Sequence, residues 1–153
     1  MARQVSPADP AILTGIRGTT PYLGNPAFLA RLRDSSPGLQ DFVWGAAAYD
    51  VVIITALAAA VADTDAPAAV AAQINGVTRD GEKCASYADC LVLVQEGTDI
   101  DYDGASGPLD FTDLGEPSSA TYAIAEIQAD GFLKTLDTRT ISAPLLTAID
   151  GTR

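Results

Sequence analysis

The carboxylate of Asp50 is the group in this sequence best suited to holding a small ligand. It is the single charged side chain in the apolar run 43–62. A carboxylate in a cleft can bind the ammonium group of a ligand, and Tyr22, Trp44 and Tyr49 would supply apolar walls beside it. The other interpretation is structural: Asp50 accepts hydrogen bonds from a neighbouring loop, because a buried charge needs partners. The residue types favour the structural interpretation and leave ligand binding by these four residues as a hypothesis.

A second group of carboxylates follows the spacing of a calcium-binding loop. Residues 99–104 read D-I-D-Y-D-G, and Asp110 falls at the twelfth position, where such loops place their last ligand. The match is incomplete, because Ser106 replaces the usual apolar residue and Pro108 stands where the exiting helix should begin. The favoured interpretation is a solvated acidic turn that leads into a strand, and no metal is predicted. The calcium alternative would use Asp99, Asp101, Asp103 and Asp110.

The two cysteines, Cys84 and Cys90, are close enough in sequence to close a small loop. In an oxidising compartment their disulfide would stabilise the fold by about 2 kcal/mol. The spacing is not the C-x-x-C of a redox pair, which makes a redox role the less favoured one. A structural disulfide is the favoured interpretation, and two free buried thiols are the alternative that remains.

The composition excludes several classes of function. The chain has no histidine, which removes histidine-based triads, histidine general bases and most zinc sites. Its formal net charge of −11 disfavours binding to nucleic acid and to anionic membranes. No paired-carboxylate or phosphate-loop motif stands out, so neither an enzyme nor a cofactor is predicted. The first residues lack the apolar core of a signal peptide, and none is predicted within this sequence.

The run 43–62 predicts a long helix that is apolar on every face. Such a helix is either fully buried or inserted in a membrane. Because Asp50 would lie near mid-depth of a bilayer, where a charge is costly, the sequence favours a helix buried against a β-sheet.

Capping and turn residues predict the remaining elements. Asn25 and Pro26 are typical of a helix start, and Ser86 with Asp89 forms a capping box. Asp41 is predicted to cap the long helix. The other predicted helices are one that starts at Pro26 and ends at 35–38, one at 66–75 and one at 87–96. The predicted strands are 11–17, 107–111, 121–127 and 132–136, and residues 77–86 are predicted to form a loop.

Four segments of the sequence resemble one known family. They are GIRGTTPY, AAAYDVVIITALAAA, GEKCASYADCLVLVQEGTDIDYDGASGPLDF and GEPSSATYAI. Together they look like the C-terminal part of type I periplasmic binding proteins, the solute-binding subunits of branched-chain amino-acid ABC transporters, and in particular their actinobacterial members. The resemblance spans about residues 12–136 and is most specific over 84–124.

This resemblance implies an α/β fold: a partial type I periplasmic-binding-protein fold with helices packed on a Rossmann-like sheet and a C-terminal β-hairpin, the N-terminal half of the family fold being missing. Family members have two lobes joined by hinge strands that close on a ligand. Residues 1–22 would then be a strand and crossing from the second lobe, and 23–104 the helical part of the first lobe. Residues 105–140 would be the return crossing and hairpin of the second lobe, and 141–153 a tail.

The resemblance also implies a function and a location. The chain would be part of an extracytoplasmic protein that captures an amino acid or a similar small polar compound and delivers it to an ABC transporter permease. Export would make the disulfide between Cys84 and Cys90 plausible. Sheet edges left open in a partial fold would favour a homodimer. The alternative function is a small acidic α/β domain that self-associates and binds no solute.

Overall fold

The computed structural model describes residues 8–39 and 41–142 of the chain. After a short 3₁₀ turn, Pro10–Leu13, these residues form helices and strands of a mixed α/β fold, as predicted at the level of class. The helices are α1 (Pro26–Ser35), α2 (Gly45–Ala62), α3 (Pro67–Gln73) and α4 (Tyr87–Gln95). The strands are β1 (Arg17–Pro21), β2 (Glu82–Cys84), β3 (Ile100–Tyr102), β4 (Ser119–Ile127) and β5 (Leu133–Ser142).

Helix α2 is the longest helix, and it is buried along one face only. Its alanine-rich sequence has no proline and no glycine after Gly45, which favours an uninterrupted helix. On its open face Val51 and Val52 are 64% and 65% exposed. The prediction of burial on every face is therefore wrong, because in the described part of the chain α3, α4 and β3 cover only one side. The residues on the covered side are Ala46, Asp50, Ile54, Leu57 and Ala58.

Helix α2 is also long and apolar enough to cross a membrane, judged by length and composition alone. A third of it is buried within the protein. The core helix of a soluble protein passes the same test, so this observation weighs little.

The main core lies between α2 and a parallel pair of short strands. Strands β2 and β3 pair in parallel, with Glu82 opposite Ile100 and Cys84 opposite Tyr102. The side chains that pack between these elements are apolar and almost fully buried, which supplies most of the driving force for this part of the fold. They include Ile54, Leu57, Val77, Cys90, Ile100 and Tyr102.

The second sheet is antiparallel, with strand order β1-β4-β5. Thr19 of β1 lies opposite Ile124 of β4, and Tyr122 of β4 lies opposite Arg139 of β5. On one face of β4 the side chains of Ala123, Ala125 and Ile127 are buried; this is the period-2 alternation of a strand, and a strand was predicted at 121–127. A register shift between Ile124 and Ala125 marks a β-bulge in the hairpin.

The chain passes between these two groups of elements twice, once after β1 and once between β3 and β4. The second crossing is held at its start by an antiparallel bridge between Gly104 and Gly107, which exchange two backbone hydrogen bonds. Near its end, Arg79 donates to the carbonyl oxygen of Phe111 at 2.9 Å and to the carboxylate of Asp113 at 2.8 Å. The predicted domain limits at 22/23 and 104/105 fall in these crossings, and as domain limits they stay predictions.

Several predicted elements differ from those observed. The strand predicted at 107–111 is absent from the described structure, because Gly107 and Asp110 have φ of 115° and 42°, outside the extended region. Residues 11–13 belong to the 3₁₀ turn and residues 14–15 to a hydrogen-bonded turn, so the strand β1 starts only at Arg17. The predicted loop 77–86 contains β2, since a parallel partner three residues long is available at β3.

The predicted helix starts had mixed outcomes. Asn25 caps α1, accepting from the backbone N–H of Phe28 at 2.8 Å, and Ser86 caps α4 through the N–H of Asp89 at 3.2 Å; both were predicted. Asp41 does not cap the long helix, because its carboxylate accepts from the N–H of Val43, two residues before α2 begins. Most of the predicted tail, residues 143–153, lies outside the described residues.

Candidate functional site

The carboxylate of Asp50 lies at the centre of a small hydrogen-bonded cluster between α2 and the segment that follows β3. Its Oδ1 atom accepts from the hydroxyl of Tyr102 at 2.8 Å and from the backbone N–H of Ala105 at 2.8 Å. Its Oδ2 atom accepts from the N–H of Ser106 at 2.7 Å and from the Ser106 hydroxyl at 2.5 Å. With 2% of its surface exposed, Asp50 is a buried charge whose acceptor positions are filled by protein donors.

Gly104 lets the loop approach the carboxylate this closely. A Cβ atom at this position would collide with both oxygens of Asp50, since even the more distant one would lie only 2.8 Å away. Glycine is therefore required here for close approach, although its φ is ordinary. The hydroxyl of Tyr102 remains a donor because burial, and then the negative charge of Asp50, raise the pKa of Tyr102 well above its usual value.

This geometry matches the structural interpretation of Asp50, a carboxylate that is hydrogen-bonded to a neighbouring loop. Four donors occupy its two oxygens, and a ligand's ammonium group would have to displace at least one of them. A ligand-binding role for Asp50 stays a prediction.

Tyr49, which was predicted to form an apolar wall beside Asp50, packs in a different cluster of side chains. The ring of Tyr49 lies 5.3 Å from the ring of Phe28, between centroids, at an angle of 59°. The guanidinium of Arg31 stands over both rings, 5.2 Å from the centroid of Tyr49 and 5.8 Å from that of Phe28. Contacts of this kind are cation–π interactions, and they hold the arginine in a defined position. We call Phe28, Arg31 and Tyr49 the Arg31 cluster.

The other two aromatic residues predicted to line the ligand site, Trp44 and Tyr22, are not part of the Arg31 cluster. Trp44 immediately precedes α2, has a φ of 70° and is 63% exposed. Tyr22 follows β1 and donates its backbone N–H to Thr121 at 3.2 Å. Among the described residues neither ring makes an aromatic contact, and a single cleft lined by Tyr22, Trp44, Tyr49 and Asp50 stays a prediction.

Arg31 and Arg33 are the residues that the sequence analysis missed. Arg33 stands over Phe42 at 5.1 Å, and neither arginine forms an ion pair in the described part of the chain. A signal was present in the sequence, since Phe28 and Arg31 are three residues apart and so share one face of α1. The partner ring of Tyr49, on a different helix, could not be inferred from spacing.

The acidic residues with calcium-loop spacing surround an ammonium group in the structure. The Nζ atom of Lys83 lies 2.8 Å from Asp101, 3.0 Å from Asp103 and 3.9 Å from Asp110, measured to carboxylate oxygens. The hydrogen bond that the Lys83 ammonium donates to Asp101 contributes most to raising the pKa of Lys83. Asp99 instead accepts the backbone N–H of Ile100. Across residues 8–39 and 41–142, no group of three or more acidic or cysteine side chains has the geometry of a metal site.

The predicted disulfide between Cys84 and Cys90 is present. It joins the last residue of β2 to the first turn of α4, with Cα atoms 5.3 Å apart, within the range that disulfides require. Both cysteines are buried, so the bond fixes the edge of the core and is not exposed for exchange.

A shallow apolar groove lies between α2 and α3. Its volume is about 420 Å³, and its walls include Thr55, Ala59, Pro67, Val70 and Ile74. None of the four predicted ligand residues lines it.

Comparison with known proteins assigns neither a family nor a function to this chain. No family model, no curated protein and no solved structure matches the chain. The likeness to type I periplasmic binding proteins therefore remains a resemblance of sequence segments.

Proposed function

We propose that this chain is part of an extracytoplasmic solute-binding protein, which captures an amino acid or a similar small polar compound for an ABC importer. The observation that carries the proposal is the Arg31 cluster. The chain has 20 acidic and 9 basic residues. Arg31 nevertheless has no carboxylate partner among the described residues. It is exposed beside two rings and is therefore available to an external anion. The proposed contact is to the ligand's carboxylate.

The rings of Phe28 and Tyr49 contribute in two ways. They fix the guanidinium, which lowers the entropy lost when a carboxylate binds. They also offer an apolar surface beside the charge, as small-molecule sites generally do. Arg31 is thus the charged group proposed to contact the ligand's carboxylate, and Tyr49 keeps its proposed role as a wall. Contact between Asp50 and a ligand's ammonium group stays a separate prediction.

The surfaces left open in the described part of the chain support membership of a larger α/β protein. Parallel sheets are normally covered on both faces and have more than two strands, whereas β2 and β3 form a pair of three residues each. The open face of α2, which carries Val51 and Val52, is a second apolar surface that the described residues leave uncovered. Both features fit a lobe that further structure would complete. The disulfide is consistent with an oxidising, extracytoplasmic location.

The test uses the protein as its own cells make it, captured with an antibody against this chain. Mass spectrometry would identify any solute that the protein releases on denaturation. It would also show whether Cys84 and Cys90 are oxidised or reduced. We expect recovery from the extracytoplasmic fraction, an intact disulfide and a bound carboxylate-bearing solute. Arg31→Ala should lose the solute, and Arg33→Ala, the matched change on the same helix, should keep it. Recovery from the cytosol alone, or equal solute on both variants, would overturn the proposal.

The second candidate function is self-association without solute binding. It is favoured by the antiparallel sheet, whose outer strands β1 and β5 have no further strand partner in the described structure. An assembled protein that carries no solute in the experiment above would favour this candidate.

A further inference from the structure

The two edges of the antiparallel sheet have no strand partner within residues 8–39 and 41–142, and they differ in how well they resist pairing with another strand. Strand β1 is five residues long and ends at Pro21, which has no N–H to donate. Strand β5 is ten residues long, contains no proline, and is exposed along most of its length. Long edge strands without proline are the ones that pair with a second chain. The edge of β5 is therefore the better candidate for an interface.

The charges on β5 are arranged so that the strand is complementary to itself. Asp137 and Arg139 lie on one face of the sheet, opposite Ile124 and Tyr122 of β4, and their side chains form an ion pair at 2.6 Å. Two copies of such a strand can run antiparallel about a two-fold axis that lies between them. Because hydrogen-bonded and non-hydrogen-bonded pairs alternate along the ladder, this axis must pass midway between one residue and the same residue of the other copy.

This symmetry reduces the choice of register to a few positions. An axis at Asp137 would place two carboxylates face to face, and an axis at Arg139 would do the same with two guanidinium groups. An axis at Thr138 instead places each Asp137 opposite the Arg139 of the other copy, so that four charges alternate in sign. Like charges directly opposite destabilise a pair of strands and opposite charges stabilise it.

We propose that β5 pairs antiparallel with β5 of a second copy of this chain, with the two-fold axis at Thr138. The paired segment is centred on 137–139. The bulge at Leu136, which has no partner on β4 and bends the strand, limits it on one side, and the two-fold axis sets the equivalent limit at Thr140 on the other. A ladder this short gives a weak dimer that forms as protein concentration rises. The inference does not depend on solute binding, and its failure would leave that proposal standing.

The charge arrangement provides the first test, by sedimentation equilibrium of the full chain over a range of concentrations. Arg139→Asp should weaken the dimer roughly tenfold, because two opposite-charge pairs become like-charge pairs. Lys134→Asp changes the net charge equally but lies beyond the bulge at Leu136, outside the paired segment, and it should leave the dimer unchanged. Exchanging both charges, Asp137→Arg with Arg139→Asp, should restore the dimer, which also shows that the variants fold.

The register provides the second test, by oxidative cross-linking. Because Cys84 and Cys90 are already joined, a new cysteine is the only free thiol. Thr138→Cys should form a covalent dimer, since opposed Cα atoms in such a ladder lie within disulfide range. Thr140→Cys should not, since its two copies would be four residues apart along the strands, roughly 14 Å.

Three results would overturn the inference. The first is a monomer at every concentration. The second is equal weakening by Arg139→Asp and Lys134→Asp. The third is a covalent dimer from Thr140→Cys with none from Thr138→Cys.

Discussion

Tyr102 donates its hydroxyl hydrogen to Oδ1 of Asp50 across 2.8 Å, and this bond joins two residues that are 52 positions apart. Both side chains are almost completely buried. The bond fixes the first half of α2 against β3 and, through the same carboxylate, holds the start of the crossing toward β4. The Asp50 carboxylate thus anchors the start of that crossing, whereas Arg79 holds its end.

Replacing Asp50 should therefore destabilise the whole α2–β3 unit. Asp50→Ala leaves the Tyr102 hydroxyl and the N–H groups of Ala105 and Ser106 without their acceptor, and each unsatisfied buried donor costs about 1–3 kcal/mol. We expect the free energy of unfolding to fall by about 3 kcal/mol or more, measured by urea denaturation. Asp34→Ala, an exposed aspartate on α1, is the matched control and should stay within about 0.5 kcal/mol. Equal values for the two variants would show that the cluster contributes little.

Gly104 should tolerate no side chain. In Gly104→Ala the added Cβ would push against the Asp50 carboxylate, so the loop or α2 must shift and weaken the hydrogen bonds between them. We expect a loss of about 2 kcal/mol, in the range of other overpacking substitutions, from thermal or urea unfolding. Gly18→Ala is the control, because a Cβ there meets nothing within 4 Å and φ at Gly18 is not positive. A stable Gly104→Ala protein would mean that the loop can retreat without cost.

The elements that were predicted correctly have local signals. Asn25 before Pro26 and Ser86 before Asp89 act within one turn of a helix, so the caps that they form depend on nothing distant. The alternation along β4 is equally local, since each strand residue reports its own face. The disulfide was predictable because only two cysteines exist.

The features that were missed depend on partners distant in sequence. Strands β2 and β3 are three residues long and exist only as a pair, so neither carries a pattern of its own. Lys83 meets Asp101 only because those strands lie side by side, and the calcium-loop spacing gave no sign of it. Arg31 over Tyr49 likewise requires two helices to meet. The half-exposed α2 was mispredicted because its sequence is apolar on faces that the described structure leaves uncovered.

Lys83 should stabilise the protein by neutralising Asp101, which is 5% exposed. Lys83→Met leaves that buried carboxylate beside Asp103 with no cation, and we expect the free energy of unfolding to fall by about 2 kcal/mol. This is less than the loss expected for a fully buried ion pair, because Lys83 is itself half-exposed. Lys134→Met is the matched control and should have little effect. Adding Asp101→Asn to Lys83→Met should recover part of the loss. Additive effects in this double-mutant cycle would contradict a direct interaction.

The pKa of Tyr102 should make stability fall in alkaline solution. Because burial and Asp50 raise this pKa in the folded protein, the folded state keeps a proton that the unfolded state loses. The contribution is complete below about pH 10, the ordinary tyrosine value, and is lost progressively as pH rises from there toward the folded-state pKa. Between pH 9 and 11 the wild type should lose about 1 kcal/mol more than Tyr102→Phe, which has no proton to release. Urea unfolding at several pH values measures the difference, and parallel curves for the two proteins would contradict the raised pKa.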